Sequence, residues 1–165
     1  MLSDNEYKKI KKISDAKNID SKLRSILKKE FFMYWNTGVL AEMILNKALK
    51  EKDGKLIEIL LELFYIELDT LYQLLFEEDW HDSHEEIVNT IIACGKKDML
   101  SILTDIALFD PDHWDSYAIH NKAIREIFSI ADKDALDTLL SLHDKVDKEA
   151  LPTLEKMIKR CESLQ

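Results

Sequence analysis

Residues 84–106 read HEEIVNTIIACGKKDMLSILTDI and residues 120–142 read HNKAIREIFSIADKDALDTLLSL; laid over one another without a gap, they keep step at an offset of 36 residues. Apolar positions coincide at Val88/Ile124, Ile91/Ile127, Ile92/Phe128, Leu100/Leu136, Leu103/Leu139 and Ile106/Leu142. Between the halves of each copy stands a polar turn, Gly95-Lys96-Lys97-Asp98 in one and Ala131-Asp132-Lys133-Asp134 in the other. The spacing on either side of the turn is that of one helical face, so each copy reads as a helical hairpin. Self-similarity at such a period marks stacked repeats, in which a hairpin buries its apolar face against its neighbours. A fainter copy, AEMILNKALKEKDGKLIEILLEL from Ala41, aligns at an offset of 43 and pairs Ile44/Ile87, Leu45/Val88, Ala48/Ile91, Ile59/Ile102 and Leu60/Leu103.

Helical periodicity extends outward from this repeat in both directions. Tyr7, Ile10 and Ile13 mark a short basic helix; Leu23, Ile26, Leu27, Phe31 and Tyr34 mark a second that stops near Asn36-Thr37-Gly38. A third starts at Val39, and Gly54 separates it from a long fourth helix, Lys55 to about Leu75, apolar over more than one stripe. Asp82 or Ser83, with Glu85 or Glu86 three residues on, opens the fifth as a capping box, and Gly95 ends it in the left-handed position. The sixth covers Asp98 to Leu108, the seventh runs from near Asp115 to about Ile130, and the eighth spans Asp132 to His143. Lys148 to Leu164 makes the ninth, with Pro152 in its tolerant first turn. With 3 Gly and 2 Pro in 165 residues, the frequent turns of a β-sandwich and the glycine-rich loops of a doubly wound α/β domain are excluded. The expected fold is all-α, a short right-handed α-solenoid of about nine helices in a single domain, 1–165. A helical cap occupies 1–37, three hairpin repeats 38–145, and a capping helix 146–165.

Charge is unevenly spread. The chain carries 23 Lys+Arg against 32 Asp+Glu, a net charge of -9, and residues 77–115 alone hold eleven acids against Lys96 and Lys97, also -9. Residues 1–29 hold nine basic and four acidic residues, a net of +5. Nucleic acid is therefore not expected as a partner, whereas a basic protein would be attracted. The basic cluster Lys9, Lys12, Lys28 and Lys29 has too little apolar face, in Ile10 and Ile13, for stable membrane association. A cleaved leader and a membrane span are not expected from the lysine-rich start and the lack of a membrane-length apolar run, and Cys94 and Cys161, far apart among apolar residues, are expected as buried, reduced thiols of a cytoplasmic protein.

Catalytic and metal chemistry find little support. His81, His84, Glu85, His113 and His120 do not form a zinc pattern, and Glu78-Asp79-Trp80-His81 is a Glu-x-x-His sequence in a loop rather than on a helix. Neither cysteine has an activating histidine beside it, and three isolated glycines build no phosphate-binding loop. No catalytic residue, cofactor or metal is expected. In a stack of hairpins, the loops EEDWHD and DPDHWD both connect successive hairpins and belong on one edge. They would bring Trp80, His81, His113, Trp114 and Tyr117 among Glu77, Glu78, Asp79, Asp82, Asp110, Asp112 and Asp115. Aromatic anchors ringed by charge are the composition of a protein-binding hot spot; solvated acids that favour helix amino termini are the plainer account of the same residues.

Trp80-His81, then His84-Glu85 at a helix start, the Gly95 turn, the acidic aromatic loop Asp110 to Tyr117 and a helix from Lys122 together resemble the HEAT-like repeat immunity proteins of bacterial polymorphic and contact-dependent toxin systems. The resemblance covers roughly residues 75 to 145 and leaves residues 1 to 40 outside it. It implies hairpins of HEAT type and a non-catalytic, cytoplasmic protein, a monomer that binds one cognate toxin in a 1:1 complex. The acidic edge adds that the toxin is basic, of nuclease type. A general HEAT-like adaptor, or a HEAT-like DNA glycosylase or lyase, are the alternatives on the same scaffold.

Overall fold

The computed structural model describes residues 2–15, 21–36, 38–77, 80–94, 99–109, 117–130 and 133–164. Among these the secondary structure is entirely helical, in eleven helices: α1 (Asp4–Asp15), α2 (Ser21–Glu30), α3 (Phe32–Asn36), α4 (Val39–Glu51), α5 (Gly54–Leu63), α6 (Leu68–Leu75), α7 (His84–Ala93), α8 (Met99–Leu108), α9 (Tyr117–Ser129), α10 (Lys133–Leu142) and α11 (Leu151–Glu162). The chain divides into two compact units, Met1–Ile87 and Val88–Gln165, with the division inside α7.

Two more helices are present than the periodicity suggests, and each break has a cause. The expected second helix is divided at Phe31, yet Phe31 N–H donates to Leu27 O at 2.9 Å and Trp35 N–H to Phe31 O at 2.9 Å, so the hydrogen-bond ladder runs on from α2 into α3. The expected fourth helix breaks in earnest. Phe64 is extended at φ -128°, ψ 154°, and Glu67 at φ -62°, ψ 143°, so α5 and α6 are separate. Phe64-Tyr65-Ile66 is a run of aromatic and β-branched side chains that fits a helix poorly. Phe64 packs on Trp35 with ring centroids 4.8 Å apart, Ile66 is buried, and Arg24 Nη2 donates to the exposed end carbonyl of α5, Leu63 O, at 2.9 Å. Two amphipathic helices of different phase, read as one, look apolar all round.

In the first unit α1 packs on α2 and α5, α2 on α3, α3 on α4, and α4 on α5. Ile10, Leu23, Leu27, Leu40, Ile44, Ile57, Leu60, Leu71 and Leu75 are among its fully enclosed side chains. Gly38 stands at φ +72° before α4, in open space, so the backbone angle and not crowding favours glycine there. The left-handed residue closing α4 is Lys52, at φ +53°, and not Gly54, which begins α5 instead. Asp53 caps α5, its Oδ1 accepting from Lys55 N–H at 3.1 Å, while its Oδ2 accepts from Tyr7 Oη at 2.5 Å and Lys11 Nζ at 2.8 Å. The basic first helix is thereby tied to the start of α5. Lys47, buried on α4, pairs with Asp4 and Glu51 at 3.0 Å each and lies 4.8 Å from the Tyr7 ring, and Lys9 pairs with Glu30.

In the second unit α9 packs on α8, α10 and α11, and α10 on α8 and α11. The six apolar pairs of the repeat agree in burial, pair by pair. Val88/Ile124, Ile91/Ile127, Leu103/Leu139 and Ile106/Leu142 are buried, whereas Ile92/Phe128 and Leu100/Leu136 are half-buried. The paired histidines, His84 and His120, are both buried. Pro152 falls in the first turn of α11. Cys94 and Cys161 are free and half-buried rather than enclosed, with burial and then Glu162 pushing the Cys161 thiol pKa up. The Gly95 turn lies outside the described residues.

Candidate functional site

The connection from α6 to α7 belongs to the first unit and carries the part of the acidic edge that is described. Phe76 closes α6, and Glu77 N–H donates back to Leu74 O at 3.1 Å. The chain then reaches Trp80, half-buried, whose Nε1–H donates to Glu77 Oε2 at 3.0 Å. Lys52 Nζ, from the end of α4, donates to the same carboxylate at 2.9 Å and stands 4.9 Å from the centre of the Trp80 ring. Lysine and indole share one carboxylate, and the ammonium rests against the aromatic face. The Lys52 ammonium, then the Trp80 N–H, holds the Glu77 carboxyl below its ordinary pKa.

Two residues beneath this triad fix the loop. His81 is 4% exposed and its two ring nitrogens are both engaged: Nε2 bonds Leu74 O at 3.0 Å, and Nδ1 faces Ser83 N–H at 3.3 Å. A carbonyl on one side and an N–H on the other select the neutral tautomer protonated at Nε2. The ring stacks on His84 at 4.4 Å between centroids and lies edge-on to Trp80 at 4.9 Å. Burial lowers the His81 pKa, against the pull of Leu74 O and the acids Asp82 and Glu77. Burial, followed by the neighbouring His81, brings His84 down to about 4, against a hydrogen bond to the backbone of Glu77. Gly54 explains how the loop comes so close. A Cβ there would stand 3.1 Å from His81 Cα, His81 Cβ and Trp80 O, two of them backbone atoms, so any larger residue would push the loop back by a few tenths of an ångström from the start of α5.

Of the residues expected to touch a partner, Glu77, Trp80, His81, Asp82 and Tyr117 are described. His81 is buried, unlike a residue that meets a partner directly, and serves as an interior anchor of the loop whose two hydrogen-bonded nitrogens leave no polar atom unpaired. Glu77 and Trp80 are half-buried and bonded to one another, and Asp82 is exposed beside the exposed Glu85 and Glu86. Tyr117, in the second unit, is 44% exposed at the start of α9, and its carbonyl accepts from Asn121 Nδ2 at 2.8 Å. Glu78, Asp79, Asp110, Asp112, His113, Trp114 and Asp115 lie outside the described residues. Lys52 was not singled out from the sequence, since it meets Glu77 across 25 positions and no local pattern links the two. The interior role of the histidines did leave a signal, in that His84 and His120 occupy one register of the repeat. His120 bonds Phe109 O through Nε2.

Among the described residues no three His, Cys, Asp or Glu side chains are grouped as metal ligands, and no helix is long and apolar enough to cross a membrane. What the loop can do chemically is present carboxylates from a fixed backbone. Compared with protein-family models, curated proteins and solved structures, the chain matches none.

Proposed function

We propose that this protein binds a basic protein partner without catalysis, and that it is an immunity protein occluding a cognate nuclease-type toxin in the cytoplasm as a 1:1 complex. The observation that supports this reading best is the pinned α6–α7 loop. His81 and the Gly54 contact from within, and the Lys52–Glu77–Trp80 triad at the surface, hold it in place, leaving Asp82, Glu85 and Glu86 exposed at a helix start. Carboxylates on an ordered backbone lose less freedom on binding and steer a cationic partner during encounter. We propose in addition that residues 84–142 form stacked hairpins of HEAT type, a reading supported by the matched burial of the paired positions of the repeat.

The test is titration against the toxin domain encoded beside this chain, at several salt concentrations. Reversing Asp82, Glu85 and Glu86 to lysine should weaken binding by about ten-fold or more and flatten its salt dependence. Asp82→Asn, Glu85→Gln and Glu86→Gln should weaken it less, separating charge attraction from loss of the helix-start contribution of about 0.3–1 kcal/mol per acid. Affinity and salt dependence that stay put in both sets would refute the reading.

A further inference from the structure

The second unit carries a surface of the opposite sign. Between α9 and α11 runs an open groove of about 430 Å³ whose floor includes Phe128 and Met157, and whose walls include Pro152, Arg125, Lys156 and Arg160. Among the described residues, no carboxylate lines it. It continues along α11, past Lys156 and Arg160, into a second depression of about 370 Å³ that adds Glu155, Lys159 and Ser163; Glu155 lies 4.0 Å from His143 Nε2. Among the described residues, none of Arg125, Lys156, Lys159 and Arg160 is in an ion pair.

Unpaired cations crowded together need an explanation in a chain of net charge -9. The dipole of α11 favours Lys159 and Arg160, which lie in its last turn. It does not account for Lys156 in mid-helix, nor for Arg125 on another helix. Lys156 and Arg160, four residues apart on one face, repel each other and disfavour the helix until an anion lies between them. Two guanidinium groups and an ammonium above an apolar floor match an occupant that brings several carboxylates and one large apolar side chain. The groove follows α11 from Pro152 to Ser163, about 16 Å at 1.5 Å per residue, the length of about five extended residues.

We propose that the α9–α11 groove docks an acidic peptide segment of a partner protein, with an aromatic side chain seated on Phe128 and Met157 and its flanking carboxylates on Arg125, Lys156 and Arg160. A nucleic-acid strand fits less well. Residues 88–165 hold 10 Lys+Arg against 14 Asp+Glu, a net of -4, so phosphates continuing beyond the groove would meet like charge. This surface is independent of the acidic loop of the first unit and stands or falls separately.

The probe is a fluorescein-labelled peptide, Glu-Asp-Trp-Asp-Glu, titrated with the full-length protein at low salt and followed by anisotropy. Saturable binding is expected, weakened about ten-fold or more by Arg125→Glu with Arg160→Glu and separately by Lys156→Glu. These side chains are exposed, so the variants should keep the helical circular dichroism and the melting temperature of the parent. Replacing the tryptophan of the peptide by alanine should weaken binding about five-fold or more, and a ten-nucleotide oligothymidylate should not displace it. No saturable binding, binding indifferent to the charge reversals, equal binding of the alanine peptide, or displacement by the oligonucleotide would each overturn the proposal.

Discussion

At Gly54 the α6–α7 loop approaches so closely that an added methyl group would force it to shift. Its three nearest atoms, at 3.1 Å, belong to Trp80 and His81, and two of them are backbone, so no rotamer change relieves the contact. Gly54→Ala should destabilise the protein by about 1–3 kcal/mol, as overpacking does. At roughly 2–4 °C per kcal/mol for a chain of this size, this appears as a clear fall in melting temperature. It should also alter the fluorescence of Trp80, whose indole leaves Glu77 and Lys52; an unchanged melting temperature and emission would contradict the close approach. Sequence alone marks Gly54 as a separator of two helices, which is true of its position but not of its function. What glycine admits there comes from 26 residues further along the chain, beyond the reach of any local pattern.

The first helix is held by a device that joins a helix cap to an ion pair. Burial pushes the Asp53 carboxyl up, but the Lys11 ammonium and the Tyr7 hydroxyl outweigh it and hold the group below its ordinary pKa. Asparagine caps a helix about as well as aspartate, so two substitutions separate the roles. Asp53→Asn should cost about 1 kcal/mol through the pair with the half-exposed Lys11. Asp53→Ala should cost about 1 kcal/mol more, through the lost cap. Urea midpoints measure both, and equal losses would show that the cap contributes nothing. This contact was hidden in the sequence, where no local pattern joins Tyr7 and Lys11 to Asp53, 46 and 42 positions away. The helices of the second unit were legible, because the repeat supplied two readings of each apolar position. The break at Phe64 was not, because the stripes of α5 and α6 run together without glycine or proline between them.

Over the whole molecule, acid works on fold and solubility at once. Burial depresses His81 and brings His84 to about 4, below the unfolded value near 6.5. The unfolded chain therefore binds protons first as the pH falls. The stabilisation is complete above about pH 6.5 and is lost as the pH descends from there toward about 4, on the order of 3 kcal/mol for His84. The sequence pI of about 5.1 lies in the same window, so repulsion between molecules fades as the fold weakens. Urea midpoints should drop between pH 7.5 and pH 5, with turbidity rising near pH 5. His84→Gln should flatten the midpoint's pH dependence while leaving the turbidity optimum in place. A midpoint that holds constant down to pH 5 would rule out buried neutral histidines.

The tether of α1 also bears on the order in which the chain assembles. Tyr7 and Lys11 reach Asp53, and Asp4 reaches Lys47, across 46, 42 and 43 positions. During synthesis the first helix leaves the ribosome well before any of these partners. Twelve residues, rich in lysine, are too few to hold a helix alone, whereas α4 and α5 are adjacent in sequence and can pair by closing a short loop. The earlier-made α1 thus waits for younger segments, and it is among the last parts of its unit to lock.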